Sequence, residues 1–262
     1  MKKTGSFNLS AAATKILHAI IYLIFLVYSI YLIAGADNTG TRITYIVITV
    51  VMLSVVLFYE YLQYHYEQAI AALNYECDPE KSKALFDSMQ KKDIVHAYRN
   101  QRVIYDVLYN LSKYQPDEVI RIIESNDKIF RGEIDQLLIR NASLFLAHIE
   151  ANNKTAAKKA YPEVLKLKGT KIKGKKLSAL YSWEELEALN YYISNDFKKA
   201  IKSYEAVKTN YMNNRQLTQY YYYYALSLAG AGRNDEARKT MTKVIKISNK
   251  LPVAIKAQEF LS

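Results

Sequence analysis

The chain holds one cysteine, Cys77, and four histidines, His18, His65, His96 and His148. A helical zinc site or a thiolate nucleophile with its base needs such groups close together in space, and for zinc at short regular spacings. The histidines are scattered and none stands at a helical zinc spacing, so they read as structural or surface residues. A lone cysteine closes no disulfide within the chain and suits a reducing compartment. Gly169-x4-Gly174-Lys175 opens like a phosphate-binding loop, but Lys176 follows where Ser or Thr must hold magnesium. No strand precedes it either, so that chemistry is not expected. Gly230-Ala231-Gly232 reads as a helix C-cap. Glu184, Glu185 and Glu187 stand at a helix start, where the dipole favours them. No Ser/His/Asp or Cys/His set can be brought together. The chain is expected to be no enzyme, with no catalytic residue, cofactor or metal.

What remains is recognition chemistry. The stretch LKLKGTKIKGKKL carries Lys166, Lys168, Lys171, Lys173, Lys175 and Lys176, and its glycines make it a loop. Beside an anionic leaflet each lysine would contribute about 1 kcal/mol; the alternative is a solvated connection. Five tyrosines run from Tyr220 to Tyr224. Consecutive residues go all round a helix, so the five cannot share one role. Tyr221 and Tyr224 are expected to pack inside.

The elements that must carry these groups divide sharply along the chain. Half the 262 residues are hydrophobic, yet mean hydropathy is −0.15, because the apolar residues crowd the first quarter. Ile16–Ala34 and Ile43–Tyr59 are apolar enough, and at about 1.5 Å per residue long enough, to cross a bilayer. Two spans are therefore expected at about 14–34 and 43–62, within a first region 1–64. The linker GADNTGTR (35–42) is short and polar, which makes the pair a hairpin. Ala34-Gly35-Ala36 resembles a signal-peptide cleavage site, but the apolar run is too long and a second span follows at once. Lys2, Lys3 and Lys15 precede the first span, against Arg42 alone in the linker. Both termini are accordingly expected on the cytoplasmic side of the plasma membrane. Residues 1–64 hold four basic and two acidic residues, so nine of the eleven net positive charges lie beyond them.

Beyond the spans, Gly and Pro are scarce and apolar residues recur at helical spacing between short breaks. The fold class is all-α. Asn195, Ala200 and Tyr204 share a spacing with Gly232, Ala237 and Met241: a turn residue, a small residue five later, a large one four beyond. A methyl group where two helices cross lets their axes approach, and the bulky neighbour fills the gap. Weaker copies stand at Asn152, Ala157 and Tyr161; at Tyr114, Val119 and Ile123; and at Pro79, Ala84 and Ser88. This pattern resembles the tetratricopeptide repeat family, whose period is about 34 residues. The family's Trp–Leu–Gly–Tyr string is degenerate here and its closing Pro is missing.

The resemblance implies a tetratricopeptide-like right-handed α-solenoid over residues 65–262, with about five helix pairs and a capping helix from Leu251. It also implies that the first helix of each pair lines a concave groove. On that alignment the groove residues are Gln101, Ile104, Leu108, Ala142, Leu146, Glu185, Leu189, Gln219 and Tyr222. The paired Lys/Asn/Arg clamp of some members is absent, and the groove is more apolar than charged. The implied partner is a protein presenting an apolar or amphipathic segment. The resulting expectation is a membrane-anchored scaffold. Two alternatives are an accessory subunit of a transporter or secretion complex acting through its spans, and a binder of anionic lipid or nucleic acid through Lys166–Lys176. Nucleic acid is the less expected of those ligands.

Overall fold

A computed structural model describes residues 11–172, 175–176 and 180–262. It divides into two units, Met1–Gln63 and Tyr64–Ser262. The described residues are helical apart from short connections and one small ladder, as an all-α chain requires.

The first unit contains α1 (Ala11–Ala34) and most of α2 (Thr39–Asn74). Two helices are long and apolar enough to cross a membrane, with mean hydropathy 2.4 over Ile16–Ala34 and 2.1 in α2. The core helix of a soluble protein buries such a surface. Here Ile20, Ile24, Val27, Val47, Val51 and Val55 all stand exposed. The second of these helices begins earlier than the sequence suggests. Asn38 Oδ1 accepts from Thr41 N at 2.8 Å and its carbonyl from Arg42 N at 3.1 Å, which starts α2 at Thr39. Inside α2 the hydroxyls of Thr44, Thr49 and Ser54 donate to the carbonyls of Gly40, Tyr45 and Val50. These polar groups are therefore satisfied within their own helix. Tyr22 donates to Glu60 Oε1 at 2.6 Å, and His18 Nδ1 lies 3.9 Å from the same oxygen, which ties the two helices together.

α2 continues unbroken to Asn74, and the second unit takes over from Tyr64. It adds α3 (Pro79–Lys92), α4 (Arg99–Ser112), α5 (Pro116–Ser125), a single turn α6 (Asp127–Phe130), α7 (Ile134–Glu150) and α8 (Lys154–Leu165). Then follow α9 (Trp183–Ile193), α10 (Phe197–Glu205), a 3₁₀ turn (Thr209–Tyr211), α11 (Asn214–Gly230), α12 (Asn234–Ile247) and α13 (Pro252–Leu261).

One turn recurs five times. Cys77, Tyr114, Asn152, Asn195 and Gly232 each take a left-handed conformation, with φ of 52°, 58°, 53°, 58° and 79°. The next residue is the helix cap in every case, and the Asp78, Asn153 and Asp196 side chains accept from backbone N–H groups of their first turns. Five residues past each left-handed position a fully buried residue meets the preceding helix: Ser82, Val119, Ala157, Ala200 and Ala237. Four further on stand the buried Phe86, Ile123, Tyr161, Tyr204 and Met241.

The first of these corrects the sequence reading, because Ala84 and Ser88 are both exposed. Pro79 occupies the first position of α3, where its missing N–H costs nothing, so the turn residue lies two earlier at Cys77. Ser82 can replace alanine at the crossing because its hydroxyl donates to Ala69 O at 2.7 Å and lies 2.9 Å from Tyr105 Oη. The corrected crossings lie 37 to 43 residues apart.

Within this unit the first and last helix pairs meet. Asn214 Nδ2 donates to Tyr75 O at 2.6 Å, Arg215 Nε to Asn74 Oδ1 at 3.0 Å, and Lys250 Nζ to Asp78. The first helices of the pairs therefore surround a central space, where an open groove was expected.

Candidate functional site

The central space is part cavity and part solid. The cavity, of about 150 Å³, is lined by residues from α2, α4, α7, α9 and α11. Leu108, Leu111, Ile139, Leu146, Leu186 and Leu189 supply apolar walls. Asn74, Tyr181, Glu185, Asn213, Arg215, Gln216 and Gln219 supply polar groups.

Several of these groups are already committed. Asn213 and Gln216 form the reciprocal cap of α11: Asn213 Oδ1 accepts from Gln216 N at 3.0 Å, and Gln216 Oε1 from Asn213 N at 3.1 Å. Gln216 Nε2 also donates to Leu180 O at 3.2 Å, and the Tyr181 hydroxyl lies 3.5 Å from Ser143 Oγ. Three groups remain. Among the described residues the Arg215 side chain makes one hydrogen bond, from Nε to Asn74, and no carboxylate within ion-pair distance. The Glu185 carboxyl and the Gln219 amide face the cavity with no side-chain partner among those residues. Burial pushes the Glu185 carboxyl up to about 8, with Arg215 pulling the other way, and the same burial lowers the pKa of Arg215. The cavity thus holds a guanidinium with no carboxylate partner among the described residues, beside a carboxyl that burial pushes toward its neutral form.

Further along the same helices the space is filled. From Arg215 to Tyr223 is about 12 Å of helix, and there the Tyr114 and Tyr223 hydroxyls meet at 3.1 Å. Tyr192 and Tyr222 pack edge-on to Tyr223, with ring centroids 5.6 and 5.3 Å away. Lys256 Nζ stands 3.4 Å from the centre of the Tyr114 ring. Glu150 Oε2 is buried near these residues with no hydrogen-bond partner among the described residues, and burial pushes its carboxyl up to about 8 despite Lys256 and Arg215.

Leu108, Leu146, Glu185, Leu189 and Gln219 come together on the cavity wall. Gln101 and Ile104 lie earlier on α4, half-buried and off that wall. Ala142 is wholly buried in the core. Tyr222 is corrected: it is buried against Tyr223 instead of facing a groove, because it lies almost two turns beyond Arg215, where the space has closed. Tyr221 and Tyr224 are only half-buried, and Tyr220 and Tyr223 take the interior places expected of them.

The residues missed are Arg215, Asn74 and Tyr181. Apolar periodicity in this stretch begins at Leu217, and a helix started there leaves Arg215 in a loop. The Asn213–Gln216 cap moves the start to Asn214, which puts Arg215 one turn before Gln219 on the same face.

Of the basic stretch, Lys173 lies outside the described residues. The backbone pairs Lys171 with Lys176 and Ile172 with Lys175 in a two-residue antiparallel ladder. Lys168 is exposed, and Lys166 is paired with Glu163. Lys166 borders a shallow depression with Arg131 and Arg140, both of which pair with Asp127.

No family model, curated protein or solved structure matches the chain.

Proposed function

We propose that this is a membrane-anchored, non-enzymatic scaffold that holds a protein partner through the cavity of a tetratricopeptide-like array. The helix hairpin is the anchor, both termini and the array are cytoplasmic, and the partner presents an apolar segment with a polar end. The observation that carries this reading is the concentration of unspent recognition groups, Arg215, Glu185 and Gln219, among leucines at the centre of the second unit. Binding sites combine an apolar lining with a few convergent polar groups in this way. A cavity of about 150 Å³ is too small for a helix some 10–12 Å across. The partner therefore inserts side chains or a chain end and does not lay down a whole helix. Anchoring confines the protein to the membrane surface, so a second weak contact there raises the effective concentration of the partner.

The span-mediated alternative has less support. Thr44, Thr49 and Ser54, the small polar residues that would glue α2 to another helix, are bonded within α2. The lipid-binding alternative loses Lys166 to Glu163.

The test is co-purification from gently solubilised membranes. Wild type is compared with Gln219→Ala, with a variant carrying an unrelated two-span anchor, and with Lys171, Lys173, Lys175 and Lys176 all changed to Gln. A stoichiometric partner lost only with Gln219→Ala is the expected result. Loss only on swapping the anchor would transfer the function to the spans, and loss only in the lysine variant to the basic stretch.

A further inference from the structure

We propose that the central cavity binds a small apolar carboxylate: an acid group held by Arg215, on a branched or aromatic body packed among Leu108, Leu146 and Leu189. This rests on the reading of the cavity as a binding site and specifies what enters it.

Charge comes first. Arg215 is half-buried in the cavity wall, and a charge drawn even partly away from water is ordinarily paired, because its desolvation is costly. Here Nε is bonded to a neutral amide, and the rest of the guanidinium has neither hydrogen-bond nor ion-pair partner among the described residues. A guanidinium presents its donors in a planar fork that matches a carboxylate. No carboxylate stands within ion-pair distance of it among the described residues, and burial pushes the Glu185 and Glu150 carboxyls toward their neutral form. The guanidinium fork thus borders the cavity where an anion would sit. Gln219 can add an amide donor, and a protonated Glu185 a hydroxyl donor.

Size and lining set the remainder of the ligand. An apolar cavity of about 150 Å³ takes a body the size of benzene, about six non-hydrogen atoms. The leucine walls disfavour a phosphate or a polyanion, whose other oxygens would lose their hydration without replacement. A free small acid and the terminal leucine of a partner chain share this chemistry.

The probes are 4-methylpentanoate and its amide, titrated calorimetrically into the full chain in micelles, with the heat of dilution into empty micelles subtracted. The acid is expected to saturate one site, with a dissociation constant on the order of 0.1–1 mM, and the uncharged amide to bind at least tenfold more weakly. Arg215→Gln should abolish the preference of acid over amide. That residue also bonds Asn74, so Arg215→Lys serves as a second variant: it keeps a positive charge and should restore a preference for the acid. In wild type the acid should bind more weakly as pH rises through about 8, where the Glu185 carboxyl gains charge. The groups facing Glu185 are Arg215, Tyr181, Tyr204 and Tyr220, and none of these gains negative charge at that pH. The same titration with acetyl-Gly-Gly-Leu, free or amidated at its end, separates the sources: binding of the free-ended peptide assigns the site to chain ends, and binding of the small acid alone assigns it to a free ligand. Equal binding of acid and amide, or no saturable heat from any acid, overturns the proposal. A partner that still co-purifies and is still lost with Gln219→Ala would then leave the scaffold reading standing.

Discussion

Two ends of one central space are built from the same helices and solved differently. At one end Tyr114 from the turn after α4, Tyr192 from α9 and Tyr222 and Tyr223 from α11 fill the interior, and the Tyr114 and Tyr223 hydroxyls bond each other. At the other end α4, α7, α9 and α11 contribute leucines, Glu185, Arg215 and Gln219 around open volume. Packing density and paired polar groups hold a fold together. Open volume lined by unpaired charge does not, and it persists where a ligand completes it. The tyrosine end therefore carries stability, and the cavity end is the one proposed for recognition.

The largest effect expected from breaking this division is at the tyrosine end. Tyr223→Ala should destabilise the chain by about 3–5 kcal/mol, as removal of a buried aromatic ring does, read by chemical denaturation in micelles. A comparable loss from Gln219→Ala would dissolve the distinction. Next is the response to pH. Glu150 and Glu185 hold their protons in the folded state up to about 8, against an ordinary value of 4.5. Their contribution to stability is complete below pH 4.5 and is lost as pH rises through about 8, because the folded state binds the more protons across that window. The midpoint of thermal unfolding should fall over the window, and Glu150→Gln should remove on the order of 2 kcal/mol of the change. Smaller still is Tyr223→Phe, which deletes one hydroxyl pair and should cost about 1 kcal/mol by the same denaturation assay. Gln219→Ala should change stability by less than about 0.5 kcal/mol while abolishing partner retention.

The tyrosine end and the cavity end were unequally legible in the sequence. Leu108, Leu146 and Leu189 could be placed through the resemblance to tetratricopeptide repeats, which puts the first helix of each pair on the inner side, and the spacing of Ala200 and Ala237 fixes how helices cross. Depth along the axis is encoded in neither. Tyr222 and Gln219 share a face, but only three-dimensional closure decides which meets open space and which meets Tyr223. Arg215 was hidden by a boundary, since a cap of Asn and Gln extends α11 past its first apolar residue. Closure itself was illegible because it depends on contacts such as Asn74 with Arg215, more than a hundred residues apart and between common polar side chains. The first two helices were the reverse case: long apolar runs announced both, and only the Asn38 cap moved a boundary.

The most direct test of the division is photo-crosslinking in native membranes, with a benzophenone amino acid placed at Gln219 in one variant and at Tyr222 in another. Both positions lie on α11 less than one turn apart. The account predicts a partner adduct from position 219 and intramolecular products alone from position 222. A partner adduct from position 222 and none from position 219 would contradict it, and would place recognition at the end assigned here to stability.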